Sequence, residues 1–260
     1  MALSSFTGSP AYCVTAQCDQ LGSVQTGQHM TTDSDVGDQQ AGQAVRGSAL
    51  FRPQPGLLLA VRYRPMPVAV GTSWYQSRFG LLFTEESFIE CCGGRYEELP
   101  DPFQDLDNKV FDNLETPGPI DLEAHIQRKY GRTAKEQCQT WLTEDAKKVS
   151  EMREASQRSS LLERYLAVLA GETPLIVHGL EESEGRRLET LLAFRPYLPL
   201  RARPFLTFVT HVFDPGRVGN KAAFLGLGVG LPVSEQINSR AYTFDGARRT
   251  FNREPDSQKA

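Results

Sequence analysis

The sequence has little of several features that would assign a chain to a class of protein at once. Its five cysteines in 260 residues are an odd number, which argues against a disulfide-stapled scaffold. No run approaches the ~18–20 consecutive apolar residues of a membrane-spanning helix. The N-terminus has neither the basic nor the apolar segment of a signal peptide. From these absences we expect no membrane span and a reducing, cytoplasmic location.

An excess of positive charge is also missing. The chain carries 28 Lys and Arg against 32 Asp and Glu, a formal net charge of −4, so it has no global basic footprint for nucleic acid. Local basic segments, such as the tail with Arg248, Arg249 and Arg253, leave RNA binding open as a minor alternative.

Complete catalytic signatures are absent as well. The sequence contains no G-x-S-x-G or H-E-x-x-H motif and no G-K-[ST] of a phosphate-binding loop. Cys13 and Cys18 are spaced as metal ligands can be, but no matching pair follows, so we expect structural thiols and no metal or cofactor. The Gly93–Gly94–Arg95 run after Cys91 and Cys92 suggests an alternative, a thiol with a lowered pKa, although buried thiols are the commoner case.

What the sequence does contain is a well-ordered α/β pattern between residues 174 and 230. It predicts strands at 175–177, 205–213 and 223–229, a helix at 183–194, and a proline-rich turn at 196–204. A strand, a helix and a second strand within this length are typical of a βαβ unit.

The helix of this unit is amphipathic. Leu188, Leu191 and Leu192 recur at helical spacing and predict an apolar face. Ser183 is suited to the N-cap. Arg186 and Arg187 are assigned to the opposite, solvated side.

The whole chain is therefore predicted to be α/β or α+β, with a mixed sheet, a βαβ-like unit at 174–230, a helical segment at 121–170 and disordered ends. We expect a flexible N-terminal segment at 1–47, a small sheet-rich region at 48–120, a helical and α/β region at 121–245 and a basic tail at 246–260. In the sheet-rich region, strands are predicted at 56–63, 68–70, 79–84 and 87–91, with Pro65 and Pro67 ending the first and Gly93–Gly94 closing a hairpin-like unit.

Two histidines are the best catalytic candidates. His178 and His211 each lie at or near the end of a predicted strand, and parallel pairing of those strands would place them side by side. With Asp214 nearby, they suggest a small metal- or histidine-dependent hydrolase or nuclease. The competing interpretation is that each is an ordinary core or rim histidine.

Candidate binding residues fall into two groups. A basic turn and its surroundings could bind an anion or an acidic partner; these residues are Arg195, Arg201, Arg203 and Arg217. Alternating glycines after a strand suggest a phosphate-binding loop; these are Gly226, Gly228 and Gly230. Because alternating glycine in an apolar strand more often marks close packing of another backbone, we favour that interpretation for the glycines.

The order of features at 174–215 resembles a known family. Leu-Ile-Val-His-Gly, Glu-Ser-Glu-Gly-Arg-Arg-Leu-Glu-Thr-Leu-Leu, Pro-Tyr-Leu-Pro-Leu-Arg and Leu-Thr-Phe-Val-Thr-His-Val-Phe-Asp-Pro are similar to the middle domain of bacterial GTPase-associated proteins. These belong to conflict systems that encode a GTPase beside non-enzymatic partners. The resemblance implies a non-catalytic adaptor or regulatory subunit of a bacterial defence assembly, with a GTPase as its protein partner.

Overall fold

The strands form one large sheet. The computed structural model describes residues 2–8, 11–16, 46–70, 73–101, 120–153, 174–180, 183–212, 215, 222–228, 233, 242–248 and 250–252. Within these residues ten strands pair in the order β10-β9-β6-β8-β7-β3-β4-β5-β1-β2. They are β1 (Ala2–Gly8), β2 (Ala11–Ala16), β3 (Gly47–Gln54), β4 (Leu57–Val70), β5 (Ser73–Thr84), β6 (Leu175–His178), β7 (Phe208–Val212), β8 (Phe224–Leu227), β9 (Tyr242–Asp245) and β10 (Thr250–Phe251).

Four helices flank this sheet in the described part of the chain. They are α1 (Glu85–Cys92), α2 (Leu122–Tyr130), α3 (Ala134–Arg153) and α4 (Glu184–Leu191). Short 3-10 segments follow α1 and α4 at Tyr96–Glu98, Arg195–Tyr197 and Leu200–Phe205.

The sheet is mixed, which confirms the predicted α/β or α+β class. Strands β9, β6, β8 and β7 are parallel to one another, whereas β3, β4, β5, β1 and β2 continue the sheet with antiparallel pairing. β6, α4 and β7 form the expected βαβ unit. β8 lies between β6 and β7, however, so the two strands of this unit are not neighbours.

The prediction of a strand at 87–91 is wrong, because these residues belong to helix α1. The Thr84 hydroxyl accepts a hydrogen bond from the Ser87 N–H, and Gly93 ends the helix at a φ of 60°. Glu85 lies in the first turn, where the helix dipole favours a carboxylate. A short apolar run cannot be assigned by periodicity alone, so the caps decide it.

The prediction that Pro65 and Pro67 end the strand is also wrong. β4 continues to Val70 in contact with β5, and the pairing register shifts between Pro65 and Ala69. Such an irregularity accommodates residues that have no N–H to donate to a regular ladder.

The N-terminal part of the chain contributes β1 and β2 to the sheet. β1 pairs with β5 on one side and β2 on the other, so these residues of the segment expected to be flexible belong to the sheet. Residues 17–45, 154–173 and 253–260 lie outside the described residues.

The core lies on both faces of the sheet. Alternate residues of β7 and β8 divide between the faces: Phe208 and Phe224 pack on the side that also holds Leu191 of α4. Val209 and Leu225 pack on the other side. Strands buried on both faces explain why these segments read as continuous apolar runs.

Candidate functional site at the carboxyl edge of the parallel strands

Because β6, β7, β8 and β9 are parallel, their carboxyl ends lie along one edge of the sheet, which we call the carboxyl edge. Open α/β sheets bind ligands in the crevice outside this edge. The last residues of the four strands are His178, Val212, Leu227 and Asp245. Several candidates from the sequence, including both histidines and the glycine run, are therefore placed at or near this edge.

The structure does not bring His178 and His211 together. β8 lies between their strands, and neighbouring strands are about 4.8 Å apart, so roughly 10 Å separates the two backbones across the sheet. The expectation of side-by-side histidines is wrong because it assumed that β6 and β7 pair directly. Asp214, the acid proposed for this pair, lies outside the described residues.

His211 is an interior residue, only 3% exposed. Its backbone carbonyl accepts a hydrogen bond from the Tyr63 hydroxyl at 3.3 Å. Burial, reinforced by the positive charge of Arg187, lowers the pKa of His211 to about 3. An imidazole with this pKa is neutral at pH 7 and is poorly matched to general-base catalysis, which favours a pKa near the working pH.

The acidic neighbour of His178 is Asp245. The two residues are register partners on β6 and β9, and the Gly246 N–H donates to the His178 carbonyl at 2.8 Å. Oδ1 of Asp245 accepts the backbone N–H groups of Arg248 and Ala247, each at 3.0 Å. The bond from Arg248 is the largest cause of a lowered Asp245 pKa, to which the nearby His178 also contributes. Asp245 thus stabilises the turn that follows β9.

Arg187 corrects the prediction of a solvated helix face, because it is 1% exposed. Its Nε donates to the Thr210 carbonyl at 2.8 Å and its Nη2 to the Leu227 carbonyl at 2.5 Å. Arg187 precedes Leu191 by four residues, so the two share the face of α4 that packs on the sheet. That spacing was visible in the sequence, but a charged residue is seldom assigned to a buried face.

Ser48 joins the carboxyl edge from the antiparallel half of the sheet. Its backbone N–H donates to the Thr210 hydroxyl at 2.8 Å, and its own hydroxyl donates to the Glu184 carboxylate. These bonds link β3, α4 and β7 across 136 and 162 residues of sequence. No local pattern in the sequence identifies Ser48 or Glu184 as members of one cluster.

Among the three glycines, Gly226 is the one whose surroundings show the close packing that we favoured. A Cβ at Gly226 would lie 2.5 Å from the Thr210 carbonyl oxygen and 3.0 Å from Leu180 Cδ1, which confirms close packing of another backbone. The Gly228 N–H donates to the Val212 carbonyl at 2.9 Å. Protein atoms therefore already occupy the space at Gly226, and Gly230 lies outside the described residues.

The basic turn is divided between the interior and the surface. Arg195 is 6% exposed and is paired with Glu97, whereas Arg203 is 3% exposed and bonds Asp145 at 2.7 Å. Arg201 alone of the three is exposed. An anion from solution cannot reach the two buried guanidinium groups without displacing these partners, and Arg217 lies outside the described residues.

The thiols of α1 differ from the activated thiol that the sequence suggested as an alternative. Burial, together with the negative charge of Glu123, raises the pKa of Cys91 to about 11. Burial also raises the pKa of Cys92. Arg95 does not activate either thiol, because its guanidinium bonds Asp145 and the Trp141 carbonyl.

Within the described residues no group of three or more His, Cys, Asp or Glu side chains is placed to hold a metal ion. None of the described helices combines the length and apolar character needed to cross a membrane. The chain matches no known protein-family model, and a comparison with curated proteins finds no similar sequence.

Proposed function

We propose that this chain is a non-catalytic adaptor or regulatory subunit of a bacterial assembly in the cytoplasm. The partner is a protein, and the resemblance at 174–215 points to a GTPase of a defence system. The adaptor role does not require the chain to carry a substrate site of its own.

The observation that carries the proposal is the way in which Arg187 fills the carboxyl edge. A buried guanidinium bonds the carbonyls of Thr210 and Leu227, and the Thr210 carbonyl oxygen lies where a side chain at position 226 would begin. In ligand-binding α/β proteins this region is the crevice that receives the ligand. Here the ends of β7 and β8 are occupied by protein groups that form hydrogen bonds with one another. This arrangement supports a structural role for this part of the edge.

The buried basic turn supports the same proposal. Arg195 and Arg203 bind the chain's own carboxylates, so they stabilise the fold instead of receiving a substrate anion. A partner would therefore bind to other groups on the surface of the protein. Binding of another protein through the surface is what an adaptor does.

Affinity purification of the tagged full chain from its native cell tests the proposal. We expect one protein to co-purify in a stoichiometric amount and to hydrolyse GTP, with a rate or affinity that changes when the chain is added. Recovery of the chain alone, as a monomer, would contradict the adaptor role.

A hydrolase is the alternative, and the pairing of His178 with Asp245 is the observation that favours it. Both residues are half-buried at the carboxyl edge, and a carboxylate fixed by backbone N–H groups can orient a histidine for proton transfer. Hydrolysis of small esters or nucleotides by the purified chain, abolished in His178→Ala and retained in Arg186→Ala, would favour this alternative over the adaptor.

A further inference from the structure

Phe205 stands out on the surface. In the part of the chain that the structure describes it is the one large hydrophobic side chain that is exposed, at 51%. It ends the 3-10 segment Leu200–Phe205, directly after the buried Pro204. Proline restricts the backbone at this point, so the ring is presented from a stiff segment.

The ring of Phe205 is held in place by its neighbours. The guanidinium carbon of Arg52 lies 4.4 Å from the ring centroid, in the range of a cation–π contact. Arg52 is itself fixed by Glu85 at 2.5 Å, and the Glu85 carboxylate also accepts the Gly56 N–H at 3.1 Å. Groups at the β3–β4 turn and at the start of α1 therefore hold Arg52 in position. The contact with Arg52 in turn orders the Phe205 ring before a partner binds.

The fixed position of the Phe205 ring favours association with a partner. Interfaces draw most of their binding energy from a few residues, among which aromatic and arginine side chains are enriched. Ordering a side chain on binding costs conformational entropy, and a pre-ordered ring avoids much of that cost. Phe205 and Arg52 thus have the composition and the rigidity of an interface anchor.

The positive charge of Arg201 indicates which group the partner presents beside the ring. Arg201 is exposed in the same 3-10 segment, four residues before Phe205. At roughly 2 Å and a third of a turn per residue, the two side chains are about 8 Å apart along the axis and about a third of a turn apart around it. Arg52 is neutralised by Glu85, whereas no carboxylate of the described residues forms an ion pair with Arg201. An interface of ordinary size, about 800 Å² on each partner, is large enough to include both residues.

We propose that Phe205, Arg52 and Arg201 form the contact surface for the partner protein, which presents an apolar pocket for the Phe205 ring beside a carboxylate for Arg201. This inference rests on the proposed adaptor function and names the surface that performs it. The other two arginines of the turn act from the interior, where they hold the segment that displays Phe205.

The test compares capture of the partner by the tagged full chain and by three variants. Phe205→Ala removes the ring and Arg201→Glu reverses the free charge. Lys147→Glu is the matched control, because it makes the same charge change at a side chain of α3 that is 78% exposed. We expect the first two variants to lower the yield of the co-purifying protein at least tenfold and the control to leave it unchanged, with the same thermal midpoint in all four proteins.

A photoreactive benzoylphenylalanine in place of Phe205 identifies what the ring touches. A cross-linked partner peptide that combines apolar residues with Asp or Glu supports the proposal, whereas a peptide without a carboxylate overturns the stated chemistry. Equal capture by wild type, Phe205→Ala and Arg201→Glu overturns this surface and leaves the adaptor function intact. If the wild-type chain captures no protein at all, the adaptor function fails and the surface with it.

Discussion

Arg203 and Asp145 form an ion pair from which water is excluded. The Arg203 Nη2 lies 2.7 Å from Asp145 Oδ2, and the two side chains are 2% and 3% exposed. The other carboxylate oxygen accepts a bond from Arg95, also at 2.7 Å. Asp145 of α3 is thus shared by two cations, one from the segment after α1 and one from the segment before β7.

Replacement of Asp145 by Ala is expected to cost about 3–5 kcal/mol in the free energy of unfolding, because it removes the buried carboxylate that two buried guanidinium groups share. Urea denaturation followed by circular dichroism measures the loss. Glu151→Ala is the control: Glu151 lies on the same helix, is 62% exposed and is 4.0 Å from Lys147, so its removal should change stability by less than about 0.5 kcal/mol. Equal effects of the two substitutions would mean that the pair around Asp145 is not a structural link.

Arg187→Met tests the filling of the carboxyl edge. The substitution keeps an unbranched side chain but removes the donors to the Thr210 and Leu227 carbonyls, and an unsatisfied buried acceptor costs about 1–3 kcal/mol. We expect a loss of roughly 2–4 kcal/mol on that basis. Arg186→Met, at a neighbouring side chain that is 63% exposed, should be nearly neutral. A neutral Arg187→Met would show that the guanidinium is not needed to close the edge.

Two glycines of the α/β unit should respond to alanine in opposite directions. A Cβ at Gly226 meets the Thr210 carbonyl oxygen at 2.5 Å, so Gly226→Ala should destabilise the fold by about 1–3 kcal/mol through overpacking. A Cβ at Gly185 in α4 comes no closer than 3.9 Å to Ser183 Oγ, and Gly185→Ala should stabilise by up to about 1 kcal/mol. Thermal denaturation of both variants measures the contrast, and a stabilising Gly226→Ala would contradict the close packing described here.

The buried His211 predicts a pH dependence of stability. The unfolded chain binds a proton at this imidazole near pH 6.5, whereas the folded chain does so only near its pKa of about 3. Between these values the unfolded state holds more protons, so stability falls with decreasing pH by up to about 1.4 kcal/mol per unit. His211→Gln should reduce this slope by that amount between pH 6 and pH 4. Unfolding free energies of the two proteins at pH 6, 5 and 4 give the slopes, and identical slopes would show that His211 protonates equally in both states.

Cys91 should react slowly with alkylating agents. With its pKa raised from 9.0 to about 11, its thiolate fraction at pH 7 falls by about 100-fold. Mass spectrometry of the Cys91 peptide after timed iodoacetamide treatment measures the rate, and the same chain in urea serves as the control. Labelling of the folded chain as fast as the unfolded one would contradict the half-buried placement of the Cys91 thiol.

Helix α1 shows where sequence reasoning is weakest. Its eight residues are too few for apolar spacing to separate a helix from a strand, although Thr84 and Gly93, which cap the helix, are both present in the sequence. The candidate site shows a different limit. His178 and His211 were recognised one by one, but their separation depends on β8, which enters the sheet between β6 and β7 from later in the chain.

The sequence by itself determined the local character of this protein: the α/β unit with its apolar strands and the apolar face of its helix at Leu188, Leu191 and Leu192. These features follow from side-chain periodicity and backbone preference within a few residues. Only the tertiary structure decided that Arg187, Arg195 and Arg203 lie inside while Arg201 faces solvent. Whether a cation can be buried depends on the carbonyl or carboxylate that receives it, and Arg203 meets Asp145 from 58 residues away.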